Sequence, residues 1–316
     1  MKKSIKCLYC YNSLTAGEID YHEKCCRKIF GVSKSPLIDI TPKDIDKLAS
    51  DAINRSLAVP GVQKKLSLEL KKTGKGARLT IVGSLGGYIL KPATEEYPGL
   101  PENEDLTMHL AEICGIETAL HALIRFQTGE MAYITKRFDR EGNFKIPVED
   151  MNQLTGNLTS DKYSGSIERI SKLIYKYCTY NFLEIIKFFK SIVFCYITGN
   201  ADMHLKNFSI MKGKDGIIKL TPAYDLLSTK LVIPEDLEES ALSINGKKKK
   251  LNTNDFNLLA KYFMIEDKVK NNILNEFREK FDDMNNFIDR SFLSSDMKIK
   301  YKNMLSENAG KINLIK

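Results

Sequence analysis

The chain has 316 residues, 43% of them hydrophobic, and carries 48 Lys and Arg against 40 Asp and Glu for a formal net charge of +8. That length supports two domains with sizeable cores, and no apolar run approaches the roughly 20 residues needed to span a bilayer. A transmembrane helix is not expected on that ground, and the basic excess favours acidic partners such as nucleotides, nucleic acid or an acidic protein face.

Residues 1–31 form a small, polar, cysteine-rich unit. Within it Cys7, Cys10, His22 and Cys25 make a C-x2-C…H-x2-C pattern. Zinc favours tetrahedral sulfur and imidazole ligands, and structural sites commonly use two such pairs. A segment this short can scarcely build its own core, so a metal would account for its order. Four protein ligands leave no open position, which makes the expected zinc structural and not catalytic. Cys26 is the spare thiol and an alternative to Cys25. Cys114, Cys178 and Cys195 lie in apolar helical contexts and read as buried thiols. The start "MKKSIKCLYC" has no apolar segment of secretory length, so a cytoplasmic location is expected. Seven cysteines in such a chain argue against a disulfide framework.

Residues 32–50 hold two prolines in "SKSPLIDITPKD" and read as a linker. Residues 51–140 have the texture of strands: "KLSLEL" alternates apolar and polar, and "RLTIVG", "YILK", "TALHALIRF" and "EMAYITKRFD" follow between glycines. One helix interrupts them at "ENEDLTMHLAEICG", with Gly115 as its stop. Residues 141–316 turn helical. "FLEIIKFFKSIVFCYITG" is apolar on nearly every face and predicts a buried central helix. Strands first and helices afterwards define an α+β class, with no alternating βαβ pattern.

The chemistry concentrates directly after that helix. Asp202, His204, Lys206 and Asn207 fall within six residues, and the chain reaches Asp225 through "FSIM" and "IIKLT", a predicted β-hairpin. Phosphoryl transfer needs one Asp to accept the acceptor's hydroxyl proton, and an Asn and a second Asp to hold magnesium against the nucleotide phosphates. The spacing Asp-x4-Asn equals that of a kinase catalytic loop. The earlier strands would then supply a phosphate-holding lysine: Lys91 ends "YILK", and Glu104, early in the next helix, is its expected partner. A surface lysine beside a helix N-terminal glutamate explains the same two residues without catalysis. The loop "SLAVPGVQKK" is placed to cover phosphates with backbone N–H groups, but its single glycine makes it a poor phosphate loop by composition.

Seven blocks, in order, resemble the HipA-like serine/threonine kinases of bacterial toxin–antitoxin systems. They are "GVQKKLSL", "YILKP", "ENEDLTMHLAEICGIETA", "ITKRFDR", "VEDMNQL", "ITGNADMHLKNFSI" and "LTPAYDLLS", and the resemblance covers roughly residues 50–316. It implies a bilobal protein-kinase-like fold that uses ATP and magnesium to phosphorylate serine or threonine on a protein. By that resemblance Asp202 is the catalytic base, Asn207 and Asp225 bind magnesium, and Lys91 contacts the ATP phosphates, with Gly61, Val62 and Gln63 in the covering loop. Lys136, Arg137 and Phe138 would form the hinge beside adenine. His204 and Lys206 fall inside the catalytic loop, where His204 would fix it by hydrogen bonds. Family targets include aminoacyl-tRNA synthetases, whose phosphorylation stops growth.

The chain departs from that pattern twice. It has no room for the extra N-terminal β-rich subdomain of longer members, and so resembles the shorter, HipT-like split form, in which a separate small protein supplies that part. A helix-turn-helix antitoxin is the other expected partner, and DNA would be reached only through it. The family's autophosphorylated serine falls at Ala58 here, leaving Ser56 as the nearest candidate. Two other classes of function remain open on sequence: a kinase-fold phosphotransferase for a small molecule, and an inactive kinase-fold subunit that regulates a DNA-binding partner.

Overall fold

The computed structural model describes residues 5–38, 64–73, 76–82, 86–141 and 144–315. Gly61, Val62, Gln63, Ser56 and most of the expected linker lie outside the described residues. The chain divides into two compact units. The first comprises Met1–Asp105, Ala119–Arg137 and Arg290–Phe292; the second comprises Leu106–Thr118, Phe138–Asp289 and Leu293–Lys316.

In the first unit, helix α1 (Glu23–Phe30) ends on Gly31, whose left-handed φ of 67° lets its N–H reach back to Arg27 O. A six-stranded sheet follows, made of β1 (Leu37–Ile38), β2 (Leu66–Thr73), β3 (Gly76–Ile81), β4 (Tyr88–Pro92), β5 (His121–Arg125) and β6 (Met131–Lys136). Its strand order is β1-β3-β2-β4-β6-β5. All pairings are antiparallel except β1 with β3, so two residues of the expected linker belong to the sheet as an edge strand. The alternation in "GARLTI" explains which face turns inward: Ala77 and Leu79 are buried, Gly76 and Arg78 exposed. Helix α2 (Leu100–Ile113) leaves this unit at Asp105. Gly115, at φ 71°, stands just past its end as expected.

The cysteine-rich segment shares the core of this unit. Leu123 N donates to Leu8 O at 3.1 Å, extending the edge of β5. Tyr21 Oη donates to Leu123 O, and Tyr88 Oη to Ile29 O at 2.9 Å. Leu8, Tyr11, Ile29 and Phe30 are all buried. A segment of some 30 residues has too little apolar surface to fold against itself, so its hydrophobic side chains pack on the sheet.

The second unit holds the short strands β7 (Arg140–Glu141) and β8 (Phe144–Lys145), strand β9 (Val148–Asp150) and helix α3 (Met151–Leu154). After these come α4 (Ile167–Tyr177), α5 (Asn181–Ile197), the hairpin β10 (Ser209–Lys212) and β11 (Ile218–Leu220), and α6 (Thr229–Val232). Helices α7 (Thr253–Tyr262), α8 (Asp267–Arg290) and α9 (Ser295–Lys311) complete the chain. Helix α5 is the expected central helix. Phe188, Phe189, Ile192, Val193 and Phe194 are buried, and Phe188 packs edge-on to Phe208 and parallel to Phe263. Each such side chain contributes roughly 2 kcal/mol by burial. Its first turn is the exception: Phe182 and Leu183 are exposed.

Candidate active site

In the second unit, α5 delivers the chain to the Asp202 loop. Gly199 follows the helix at φ 63°, the reversal that starts the loop. Inside the loop, Asn207 Nδ2 donates to Asp202 O at 3.0 Å, and His204 N donates to the same oxygen at 2.8 Å. Ala201 N is held by Thr229 Oγ1 at 2.8 Å. The Asp202 backbone is thereby tied, while its half-buried carboxylate takes a hydrogen bond from Tyr163 Oη at 2.7 Å.

His204 is buried edge-on against the Tyr163 ring at 5.1 Å. Burial pushes its pKa below the ordinary histidine value, against the pull of Asp202. Its backbone N–H, and not its ring, makes the hydrogen bond within the loop. Lys206 is half-buried, and its carbonyl accepts from Tyr224 Oη at 2.8 Å.

The hairpin carries the chain from Asn207 to Asp225, and β9 pairs along β10 as a third strand that the sequence pattern did not announce. Glu184 of α5, almost fully buried, accepts from Leu220 N at 2.9 Å and from Lys187 Nζ at 2.8 Å. One carboxylate thus fixes the hairpin to the central helix. Its signal in the sequence was a charge within an otherwise apolar run, which calls for a partner when buried. Tyr224 bonds Ser209 Oγ at 2.6 Å and stacks near Phe138, with ring centroids 5.6 Å apart. The next residue, Asp225, has φ 60°, a left-handed conformation that an Asp tolerates better than most residues.

The first unit holds the other expected pair. Lys91 Nζ bonds Glu104 Oε1, with side chains only 4% and 1% exposed. Lys91 sits at the end of β4 opposite Tyr133, whose ring centroid is 5.3 Å from its ammonium. Register explains the placement: Lys91 pairs with Tyr133 across β4–β6, on a strand whose neighbours Leu90 and Pro92 are buried. A buried charge needs a partner, so the surface reading of these two residues fails. Of the expected hinge residues, Lys136 is exposed at the end of β6 and Arg137 N donates to Gly87 O at 2.9 Å. The division between the units falls between Arg137 and Phe138.

The metal ligands expected near the N-terminus come together. The ligand atoms of Cys7, Cys10, His22 and Cys25 all lie within 4.8 Å of one another. Cys10 Sγ is 3.4 Å and Cys25 Sγ 3.8 Å from His22 Nδ1. Tetrahedral zinc, with bonds of about 2.3 Å to sulfur and about 2.0 Å to nitrogen, sets ligand atoms roughly 3.5–3.8 Å apart. His22 Nε2 lies 3.0 Å from Ser13 O, which turns Nδ1 toward the sulfurs. A hydrogen bond from Cys7 draws the Cys10 thiol down to about 4, and Cys7 itself is raised. Charge of that kind suits a cation. Cys26 is buried outside the cluster, its thiol pushed up to about 12 by burial, so Cys25 and not Cys26 completes the group of four.

Asn207 and Asp225 meet the chemical requirement for magnesium. Asn207 Nδ2 is engaged by Asp202 O, so Oδ1 is the atom that could ligate a cation, and Asp225 could add a carboxylate.

A sheet-bearing unit with a buried Lys–Glu pair and a helical unit with an Asp-x4-Asn loop define an α+β fold of the protein-kinase kind. The chain belongs to the HipA-like C-terminal domain family, whose model matches residues 57–285. It is 33% identical over 188 residues to a Haemophilus influenzae protein named "Putative kinase", covering 55% of this chain and 53% of that protein. It is 30% identical over 216 residues to the serine/threonine-protein kinase toxin HipA of Shewanella oneidensis, covering 60% and 47% respectively. The chain spans about half the length of the curated relatives it matches. Among solved structures it resembles the Shewanella oneidensis HipA, HipB and operator DNA complex, with a TM-score of 0.66 and 22% identity over 84% of this chain and 71% of that chain. It also resembles the Helicobacter pylori proinflammatory kinase CtkA, with a TM-score of 0.55 and 16% identity over 79% and 94%. Among the described residues, no helix is long and apolar enough to cross a membrane.

Proposed function

We propose that this protein is an ATP- and magnesium-dependent serine/threonine protein kinase, acting in the cytoplasm as the toxin of a HipA-like toxin–antitoxin system. The observation that carries this reading is the Asp202 loop, where Asn207 and His204 both bond Asp202 O and the chain then returns through a pinned hairpin to Asp225.

In this reading the Asp202 carboxylate accepts the proton of the acceptor hydroxyl as the γ-phosphoryl group is attacked. Asn207 Oδ1 and the Asp225 carboxylate would hold magnesium, which would neutralise phosphate charge. Lys91 neutralises phosphate oxygens in the ground and transition states, and Glu104 keeps its ammonium extended. Lys136, Arg137 and Phe138 face adenine. His204 and Lys206 shape the loop and do not touch the reacting atoms. Gly61, Val62 and Gln63 would cover the phosphates with backbone N–H groups.

The structurally similar HipA is a component of a complex with HipB and operator DNA, which supports a helix-turn-helix antitoxin as partner here. A separate small β-rich protein is the second partner in this reading. The acceptor is a protein of the translation machinery, an aminoacyl-tRNA synthetase being the leading class. Ser56 is the candidate for autophosphorylation. Zinc at Cys7, Cys10, His22 and Cys25 is structural.

The test is induced expression of wild type and Asp202→Ala side by side, with phosphoproteomics of the lysate and ATP turnover by the purified proteins. Wild type arrests growth and produces a new phosphoserine or phosphothreonine, while the variant loses about 100- to 10,000-fold in rate. Equal phosphopeptides and equal growth for both would sink the reading.

A further inference from the structure

The cysteine-rich segment does more than cover the sheet. Tyr11 directly follows Cys10, and its N–H donates to Cys7 O at 3.0 Å, so its backbone closes the turn that presents both sulfurs. Its φ of 61° is unusual for a bulky residue and persists only where the surroundings impose it. The ring is buried edge-on against Phe292, with centroids 5.0 Å apart. Its hydroxyl donates to Asp105 Oδ2 at 2.6 Å. Asp105 is fully buried, and its other oxygen is 2.7 Å from His121 Nδ1. The His121 ring lies parallel to Tyr133, 5.9 Å away, and Tyr133 is the ring beside the Lys91 ammonium.

Asp105 is also the residue after Glu104 in the first half of α2. Both members of the Lys91–Glu104 pair therefore adjoin this network: Glu104 through its chain neighbour, Lys91 through Tyr133. We propose that the zinc-ligand turn, through Tyr11 and Asp105, is a positioning device for the Lys91–Glu104 pair, so that loss of the metal loosens α2 and weakens ATP binding. This rests on the kinase reading for the role of Lys91, and on the geometry of the first unit for everything else. A carboxylate buried to this degree keeps its place only while its donors hold it. A phenylalanine at position 11 would fill the same space and supply none of that hold. The segment thus links occupancy by a divalent cation to the nucleotide-binding lysine.

The experiment measures amide exchange across residues 100–105 and the Kd for Mg-ATP on the full chain. It compares wild type, wild type after zinc removal with a chelator, Tyr11→Phe and Tyr21→Phe. The Tyr21 hydroxyl joins the same segment to Leu123 O of β5 and not to α2, so it is the control. Tyr11→Phe is expected to retain zinc, speed exchange in the first half of α2, and weaken Mg-ATP by about tenfold, the size expected when a hydrogen bond to a buried charge is lost. In turnover the loss appears in KM for ATP, with kcat largely kept. Chelated wild type shows the same two changes, which covers the case in which Tyr11→Phe does not fold. Unchanged exchange after zinc removal overturns the proposal, as does an equal loss of ATP affinity in Tyr21→Phe. Faster exchange at residues 100–105 in a protein that binds no nucleotide would remove the kinase reading and leave this coupling standing.

Discussion

Asp225 shows how much one residue's backbone matters to the candidate site. At φ 60° it sits where Asp and Asn are tolerated and alanine is not. Asp225→Asn therefore keeps the turn and removes the charge. Its thermal midpoint should stay near wild type while the magnesium dependence of ATP binding disappears; magnesium-dependent affinity equal to wild type would take Asp225 out of the metal site. His204 makes a second residue-scale prediction. Burial holds its folded pKa below the ordinary 6.5, so the unfolded chain takes up the proton first as pH falls. The stability contributed by the neutral ring is complete above about 6.5 and is lost as pH drops through and below that value. Denaturant midpoints should fall with acidity more steeply in wild type than in His204→Gln, by at most about 1.4 kcal/mol per pH unit. Parallel profiles would show that His204 is not the titrating group. Both Asp225 and His204 were legible as residues from their spacing. The left-handed turn at Asp225 and the burial of His204 were not, because neither leaves a mark in residue order.

At the scale of elements, α5 organises the second unit by what it carries at its two ends. Near the start, Glu184 fixes the hairpin; at the end, Gly199 turns the chain into the Asp202 loop. A Cβ at Gly199 would run into Met304 Sδ and lie 3.1 Å from Lys230 Cβ. The methionine can swing away, but the lysine Cβ is fixed by α6, and the positive φ adds strain. Gly199→Ala should lower stability by about 1–3 kcal/mol, read as a shift of the urea midpoint. A midpoint within error of wild type would mean that the reversal after α5 accepts a side chain. The helix and the hairpin were both readable from apolar periodicity and from the glycines in "KGKDG". The third strand, β9, was not. At three residues it is too short for alternation to register, and its pairing with β10 is set by tertiary contact.

On the scale of the molecule, the cysteine-rich segment, the sheet and the first half of α2 belong to one compact unit. Zinc bound there stabilises the native state by as much as its binding favours that state over the unfolded chain. Protein purified without chelator should contain about one zinc per chain by elemental analysis, and removing it should lower the melting temperature of the intact protein. A ratio near zero would leave four reduced side chains packed together and no metal to explain them.

The order of residues determined the set Cys7, Cys10, His22 and Cys25, the Asp202–Asn207 spacing, the strand that carries Lys91 and the apolar helix that precedes the loop. Each is local, and chemistry or periodicity over a few residues is enough to reveal it. Tertiary structure alone decided that Tyr11 reaches Asp105, that Tyr163 bonds Asp202 and that Glu184 holds Leu220. Those pairs are 94, 39 and 36 residues apart. Such a bond depends on which buried group ends up facing which, and burial is settled by the packing of whole elements rather than by any neighbour in the chain.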